Sequence, residues 1–82
     1  MLWQVYLLRC ADKTLYCGIT NDIACRIEKH NAGKGAKYTR SRLPVTLMAA
    51  SRGLSKKDAL ILERCIKRQP ASMKIAMVQH RS

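Results

Sequence analysis

The sequence predicts a small α/β domain: a three-stranded, mainly antiparallel sheet flanked by helices in the order ββαβα, with a further short C-terminal helix. Three observations predict this fold class. Two β-rich runs near the N-terminus flank a short polar turn, two segments with apolar residues at helical spacing follow capping residues, and a third β-rich run lies between those segments. Eighty-two residues accommodate one modest core, so we expect a single domain over residues 1–82.

The first strand, Leu2 to Cys10, is apolar on both of its alternating faces. Its apolar side chains are Trp3, Val5 and Leu7 on one face and Leu2, Tyr6 and Leu8 on the other. A strand that is apolar on both sides is covered on both sides, so we expect this strand to be central in the sheet.

The second strand, Thr14 to Ile19, returns as a hairpin, and the length of its turn decides where two tyrosines point. A two-residue turn would put Tyr6 and Tyr16 on opposite faces of the sheet. A three-residue turn, Ala11-Asp12-Lys13, would pair Tyr6 with Gly18 and place both tyrosines on one face. A site shared by the tyrosines therefore requires the three-residue turn.

The first helix is expected from about Asp22 to Asn31, with Thr20 or Asn21 as its N-cap and Gly33 after its end. The polar, glycine-containing stretch that follows, Ala32 to Pro44, is expected to be a loop.

The third strand is expected over Val45 to Ala50, and the second long helix begins at the capping box that opens with Ser55. This helix runs to about Arg68, because apolar residues recur at helical spacing. Those residues are Ala59, Leu62 and Ile66. After Pro70, a short further helix would dock through Met73, Ala76 and Met77.

The charge is strongly positive: 16 Lys and Arg oppose 5 Asp and Glu, for a net charge of +11. Such a surface attracts polyanions, chiefly nucleic acid or anionic membrane, and nucleic acid is the partner we expect. No apolar run approaches the roughly 18 residues that a membrane span needs, so no membrane association is expected. The N-terminus lacks the basic leader and cleavage site of a signal peptide, which predicts a cytoplasmic protein.

The four cysteines form neither a C-x-x-C pair nor a cluster with histidine at zinc spacing. They are Cys10, Cys17, Cys25 and Cys65. Each lies in an apolar pattern, so we expect all four to be small buried side chains rather than metal ligands or redox groups.

Glu63 is the acidic residue that the sequence leaves free for chemistry. The other acids have local structural roles: Asp12 in the turn, Asp22 and Asp58 at helix starts, and Glu28 on a solvent-facing helix position. Glu63 lies at the edge of an apolar helical stripe, where one carboxylate suits a single Mg²⁺ or Mn²⁺ completed by water and phosphate oxygens. The alternative is a helical ion pair with Lys67, four residues later.

Arg26 and His30 are four residues apart on the first helix, so their side chains project together. Arginine offers a permanently charged fork to phosphate, and histidine offers a proton carrier near neutral pH. A solvent-facing basic pair is the alternative.

A basic segment follows, with four cations and one aromatic residue and no acid. Its members are Lys34, Lys37, Tyr38, Arg40 and Arg42. The cations suit phosphates, and Tyr38 suits stacking on a base or bonding to a phosphate. A flexible basic loop without a ligand is the alternative.

These motifs together resemble the GIY-YIG endonucleases, specifically their small stand-alone bacterial members. The matching segments, in the family's order, are Gln4-Val5-Tyr6, Tyr16-Cys17-Gly18, Ile19-Thr20-Asn21-Asp22 and Gly35-Ala36-Lys37-Tyr38-Thr39-Arg40. The resemblance covers about Trp3 to Lys67. The chain departs from the family at Gln4, Val5 and Cys17, which are not catalytic positions.

The resemblance implies roles for five residues. Tyr6 corresponds to the general base, Tyr16 to the residue that positions water and phosphate, Arg26 to the group that stabilises phosphoryl charge, His30 to an assisting group, and Glu63 to the ligand of one divalent metal. Many relatives carry a further polar residue after the glutamate. Here Lys67 or Gln69 takes that place, and Lys67 joins the basic segment as an expected nucleic-acid contact.

The implied activity is that of a metal-dependent DNA endonuclease, of low sequence specificity or selective for DNA structure, in DNA repair or processing. A protein partner would supply specificity, because this chain lacks the separate DNA-targeting domain of many relatives. Two alternatives stay open: a catalytically silent nucleic-acid-binding module, and a protein that recruits an acidic partner through its basic surface.

Overall fold

The structure, a computed structural model, describes residues 1–80. Within them are three strands and four helices: β1 (Gln4–Arg9), β2 (Leu15–Thr20), α1 (Ile23–Asn31), α2 (Lys37–Arg40), β3 (Thr46–Ala50), α3 (Lys56–Lys67) and α4 (Ala71–His80). The strands form one antiparallel sheet in the order β2-β1-β3. The predicted α/β class is confirmed, and β1 is central as its two apolar faces indicated.

The hairpin between β1 and β2 has the three-residue turn that a site shared by the tyrosines requires. Tyr6 lies opposite Gly18 and Leu8 opposite Tyr16, so the two tyrosines share a face. Lys13 ends the turn in the left-handed region, at φ 69°, as the third residue of such loops commonly does. Asp12 holds the turn, because its Oδ1 accepts from the backbone N–H and the hydroxyl of Thr14 at 3.1 and 2.6 Å.

Helices cover both faces of the sheet. One face packs against α3 and α4, in a core built from Val5, Leu7, Cys17, Ala49, Ala59, Leu62, Ile66 and Val78. The other face carries Tyr6, Tyr16 and Leu8 and packs against Ile23 and Ile27 of α1. This division places the tyrosines on the side of α1, and Glu63 of α3 on the opposite side.

Local details differ from the expectations near α1 and β3. The N-cap of α1 is Asp22, whose Oδ1 accepts from the Cys25 N–H at 3.1 Å, and not Thr20 or Asn21. The Thr20 hydroxyl instead accepts from the Asp22 N–H at 3.1 Å, which orients the capping residue. The third strand begins at Thr46, one residue later than expected.

The stretch expected to be a loop contains the short helix α2. Ser55 is the N-cap of α3, as expected, and its Oγ accepts from the Asp58 N–H at 3.1 Å. The helix after Pro70 is also present as α4. None of the helices within residues 1–80 is both long and apolar enough to span a membrane.

The expectation that all four cysteines are buried was wrong for two of them. Cys10 and Cys17 are buried, whereas Cys25 and Cys65 are exposed, and all four are free thiols. Cys25 and Cys65 lie on helices, where residues adjacent in sequence point to different sides. A cysteine next to apolar residues can therefore still face solvent.

Candidate active site

The centre of the site is the hydroxyl group of Tyr6, on the central strand. The Tyr6 side chain is buried, and its Oη lies 3.0 Å from Nε2 of His30 and 3.4 Å from Nε of Arg26. Arg26 and His30 reach it together because they are one helical turn apart on α1. Burial raises the pKa of the Tyr6 phenol, and the hydrogen bond from Arg26 opposes part of that effect.

His30 is completely buried, and both of its ring nitrogens have partners. Nε2 faces Tyr6, and Nδ1 lies 2.8 Å from Oγ1 of Thr39, on α2. Burial lowers the pKa of the imidazole, and the positive charge of Arg26 lowers it further. The ring is therefore neutral near pH 7, the form that can accept a proton.

Tyr16 completes the cluster on the same sheet face. Its ring centroid is 6.3 Å from that of Tyr6 and 5.4 Å from that of His30. Gly18 makes room for both tyrosines, since a Cβ at this position would lie 2.6 Å from Tyr6 Oη and 3.1 Å from Tyr16 Cε2. Four of the five residues predicted to be catalytic thus converge on one side of the sheet.

Gly35 and Thr39 belong to this cluster but were not among the predicted site residues. A Cβ on Gly35 would collide with Nδ1 of His30 and lie 2.7 Å from its Cγ, so the imidazole packs directly against the Gly35 backbone. Both residues belong to the segment Gly35 to Arg40, which resembles the family. That resemblance is the feature of the sequence that could have identified them as site residues.

Tyr38 and Arg42, expected to contact nucleic acid, are held by the protein itself. The Tyr38 ring stacks on Tyr16 with centroids 6.0 Å apart, and Cζ of Arg42 lies 4.1 Å from the Tyr38 ring centroid. Arg42 also donates to Asp12 Oδ2 and to the Tyr38 carbonyl, both at 2.8 Å. These contacts link α2 to the β1–β2 turn and hold Tyr38 and Arg42 beside Tyr16.

The other cations of the basic segment are more accessible. Lys34, Lys37 and Arg40 are exposed, and Arg40 anchors its Nε to the Gly35 carbonyl at 3.3 Å. They surround the segment that supports His30, so a polyanion bound here would lie beside the cluster.

Glu63 lies on α3, on the other side of the sheet from Tyr6. Its Oε2 is 3.5 Å from Nζ of Lys67, the helical ion pair that the sequence offered as an alternative. Burial first, and the negative charge of Glu63 second, raise the pKa of the Cys17 thiol, on the edge strand β2, to about 11.

Two open grooves share Lys67, one beside β2 and one along α3. One, of about 370 Å³, is lined by Leu15, Tyr16, Cys17, Tyr38, Lys67 and Lys74. The other, of about 440 Å³, is lined by Leu60, Glu63, Arg64, Lys67 and Arg68. Lys67 therefore lies between the Tyr16 side and the Glu63 side, and Lys74 is a basic residue of this edge that the sequence did not single out.

The donor set suits a divalent ion held by few protein ligands. Within residues 1–80 there is no group of three His, Cys, Asp or Glu side chains that could hold a metal. Glu63 offers one carboxylate in an open groove, which fits Mg²⁺ or Mn²⁺, since these ions commonly keep several waters and use one or two carboxylates with substrate phosphates.

Known proteins are similar to this chain over most of its length. The model of the GIY-YIG catalytic domain matches residues 2–76. A UPF0213 protein of Nitratidesulfovibrio vulgaris is 49% identical over 75 residues, covering 92% of this chain and 68% of its own length. A UPF0213 protein of Streptococcus sanguinis is 45% identical over 78 residues, covering 95% of this chain and 90% of its own length.

A solved structure is similar over nearly the whole chain. The solution NMR structure of a UPF0213 protein from Bacillus halodurans has a TM-score of 0.58 and 41% sequence identity, covering 98% of this chain and 85% of that chain.

Proposed function

This chain belongs to the GIY-YIG catalytic domain family, a nuclease family, and we propose that it is a metal-dependent DNA endonuclease of low sequence specificity or selective for DNA structure. The observation that carries the proposal is the Tyr6 hydroxyl held between His30 Nε2 at 3.0 Å and Arg26 Nε at 3.4 Å. A buried tyrosine that only packs in a core does not need its hydroxyl to contact both a histidine nitrogen and a guanidinium group.

Hydrolysis of a phosphodiester requires a group that removes a proton from the attacking water. Tyr6 performs this step, with its own proton passing to Nε2 of His30 as Oη takes the proton of the water. Such a transfer suits this phenol, because burial raises its pKa and a free phenolate would be scarce near pH 7. His30 is an available acceptor because burial and Arg26 keep its pKa low and the ring neutral.

Arg26 stabilises the negative charge that develops on the phosphoryl oxygens. Its guanidinium pKa is raised mainly by the hydrogen bond to Tyr6, so the side chain stays charged at every relevant pH. Tyr16, beside Tyr6 on the same face, helps to orient the water and the phosphate.

Glu63 would hold one Mg²⁺ or Mn²⁺ ion with water and phosphate oxygens. The ion would polarise the phosphoryl group as a Lewis acid. A phosphodiester that spanned the two grooves would contact the Tyr16 side and the Glu63 side together, with Lys67 between them.

The substrate surface combines the exposed cations near α2 with those of the β2 edge. Lys34, Lys37 and Arg40 would neutralise phosphates on one side, and Lys67 and Lys74 on the other. Such contacts read charge rather than base sequence, so we assign sequence specificity to a partner protein. We place the activity in DNA repair or processing in the cytoplasm.

A catalytically silent nucleic-acid-binding module is the second candidate. The observation that favours it is the ion pair of Glu63 with Lys67, which occupies the one carboxylate that the proposed metal needs. An ion pair of this kind is worth under about 1 kcal/mol, so a divalent ion with DNA can displace it.

Cleavage of linear, supercoiled and branched DNA in Mg²⁺ or Mn²⁺, with EDTA as a blank, tests the proposal. Tyr6→Phe and Glu63→Ala should each reduce cleavage by about 10²–10⁴-fold while sparing DNA binding. Glu28→Ala is the matched control, because Glu28 is an exposed glutamate on α1. Cleavage that survives both site variants comes from a contaminant. Divalent-dependent cleavage that is absent in the wild type on all three substrates leaves the silent module.

A further inference from the structure

The hydroxyl of Thr39 has two polar neighbours and one proton to offer. Thr39 is completely buried, and its Oγ1 lies 2.9 Å from the Ala36 carbonyl oxygen and 2.8 Å from Nδ1 of His30. Two oxygens 2.9 Å apart need a proton between them, and a carbonyl has none to give. The Thr39 proton therefore points at Ala36, and the oxygen of Thr39 is left as an acceptor towards His30.

This arrangement fixes which nitrogen of the imidazole is protonated. Because Thr39 Oγ1 accepts, Nδ1 of His30 must carry the ring proton. A neutral imidazole carries one proton, so Nε2 is bare and faces Tyr6 Oη at 3.0 Å as an acceptor. The hydroxyl of Tyr6 then donates to His30, in the direction in which the proposed reaction moves its proton.

We propose that Thr39 is a positioning residue that holds His30 in the Nδ1–H tautomer and so keeps Nε2 free to take the proton of Tyr6. The inference rests on the proposed nuclease function for its catalytic meaning, but the tautomer itself can be observed without cleavage. Without the hydroxyl, the hydrogen bond that holds the ring proton on Nδ1 is lost. A proton on Nε2 would point at Tyr6 and block the transfer.

The fold supports this role of Thr39. Helix α2 begins at Lys37, and its N-cap is Ala36, the residue whose carbonyl takes the Thr39 proton. Gly35 packs its backbone against the imidazole, so the ring is held on that side. The segment from Gly35 to Thr39 thus orients His30 through packing and through one hydrogen bond.

The first measurement is the tautomer of His30, from ¹⁵N chemical shifts and N–H couplings of the imidazole at about pH 8, above the ordinary histidine pKa. The chain has two histidines, so His80→Gln identifies the signals of His30. The wild type and Thr39→Ser should show a protonated Nδ1 and a bare Nε2. Thr39→Val, which matches threonine in shape without the hydroxyl, should show a protonated Nε2 or a mixture.

Activity is the second readout, measured on the same variants. Thr39→Val should slow cleavage by about 10²-fold, at the lower end of what loss of a general base costs, and Thr39→Ser should restore most of the rate. Both variants should bind DNA as the wild type does. If Thr39→Val does not fold, the wild-type tautomer and the rate of Thr39→Ser still decide the matter.

The outcomes separate this inference from the nuclease proposal. A wild-type His30 protonated on Nε2, or an Nδ1–H tautomer that persists in folded Thr39→Val, overturns the inference even if DNA is cleaved. A wild type that shows the Nδ1–H tautomer but cleaves no DNA overturns the nuclease proposal and leaves only the hydrogen-bond assignment.

Discussion

A Cβ on Gly18 would lie 2.6 Å from the hydroxyl oxygen of Tyr6, the residue directly opposite it in the sheet. This separation is shorter than any ordinary contact between a Cβ and an oxygen. The phenol therefore reaches His30 and Arg26 across a strand position that has no side chain. The glycine of β2 is part of the site although it brings no chemical group to it.

Gly18→Ala should displace the Tyr6 ring, because the obstructing atoms belong to a buried and hydrogen-bonded side chain. We expect a loss of about 1–3 kcal/mol in unfolding free energy, the usual range for overpacking, together with a large fall in cleavage. Urea denaturation and the cleavage assay measure the two effects. Gly53→Ala is the control for overpacking away from the site, because its new Cβ would lie 2.7 Å from Cδ1 and 2.9 Å from Cβ of Leu2; it should lower stability without slowing cleavage. A Gly18→Ala variant with wild-type stability and rate would contradict this account of the site.

The Lys37→Ala/Arg40→Ala double variant should weaken DNA binding on all sequences alike. Each lost phosphate contact should reduce the salt slope of log K by about one unit. Fluorescence anisotropy across a salt series measures both quantities. Arg52→Ala/Lys57→Ala removes the same charge from exposed positions away from the cluster and is the matched control. If the two double variants behave alike, general charge and not the α2 surface drives binding.

Arg42→Ala should act mainly on stability, in contrast to the other cations of the basic segment. Its guanidinium is paired with Asp12 and lies over the Tyr38 ring, so its charge is already largely matched within the protein. We expect a loss on the order of 1 kcal/mol from the cation–π contact and the hydrogen bonds, with little change in the salt slope. Thermal unfolding and the anisotropy series measure these effects. A salt slope reduced by about one unit, as expected for one lost phosphate contact, would show that Arg42 leaves Asp12 to bind DNA.

Stability should depend on pH through His30. Its pKa is lowered in the folded state, by burial first and by Arg26 second, so the unfolded chain binds more protons below about pH 6.5. The contribution is fully present above the unfolded pKa and is lost as the pH falls through the folded pKa. Asp12, whose pKa is lowered mainly by its hydrogen bond from the Thr14 hydroxyl, titrates below 3.8, outside this window.

Urea unfolding at a series of pH values measures this dependence, with His80→Gln as the control. The unfolding free energy of the wild type should fall as the pH drops below about 6.5, and His30→Gln should lack that component. Cleavage should fall over the same range, because a protonated His30 cannot accept the Tyr6 proton. An identical slope in His30→Gln and wild type would assign the dependence to other groups.

Much of the frame of the site followed from local patterns in the sequence. The two apolar faces of the first strand indicated its central position, and the three residues between the strands decided whether Tyr6 and Tyr16 share a face. The four-residue spacing of Arg26 and His30 predicted that their side chains project together, as they do towards Tyr6. These inferences succeeded because side-chain direction repeats with a fixed period along strands and helices, so near neighbours in sequence define a common face.

Tertiary structure decided the contacts that cross between elements. It joined Thr39 to His30, set Tyr38 between Tyr16 and Arg42, and tied Arg42 to Asp12. It also placed Glu63 in a groove along α3. Arg42 and Asp12 are 30 positions apart, and no periodic pattern links two residues at that separation. The sequence by itself determined which side chains share a face. Which side chains form hydrogen bonds, ion pairs and ring contacts depended on how the helices pack on the two sides of the sheet. A polar atom that packing removes from water pairs with a polar group that the same packing brings close to it.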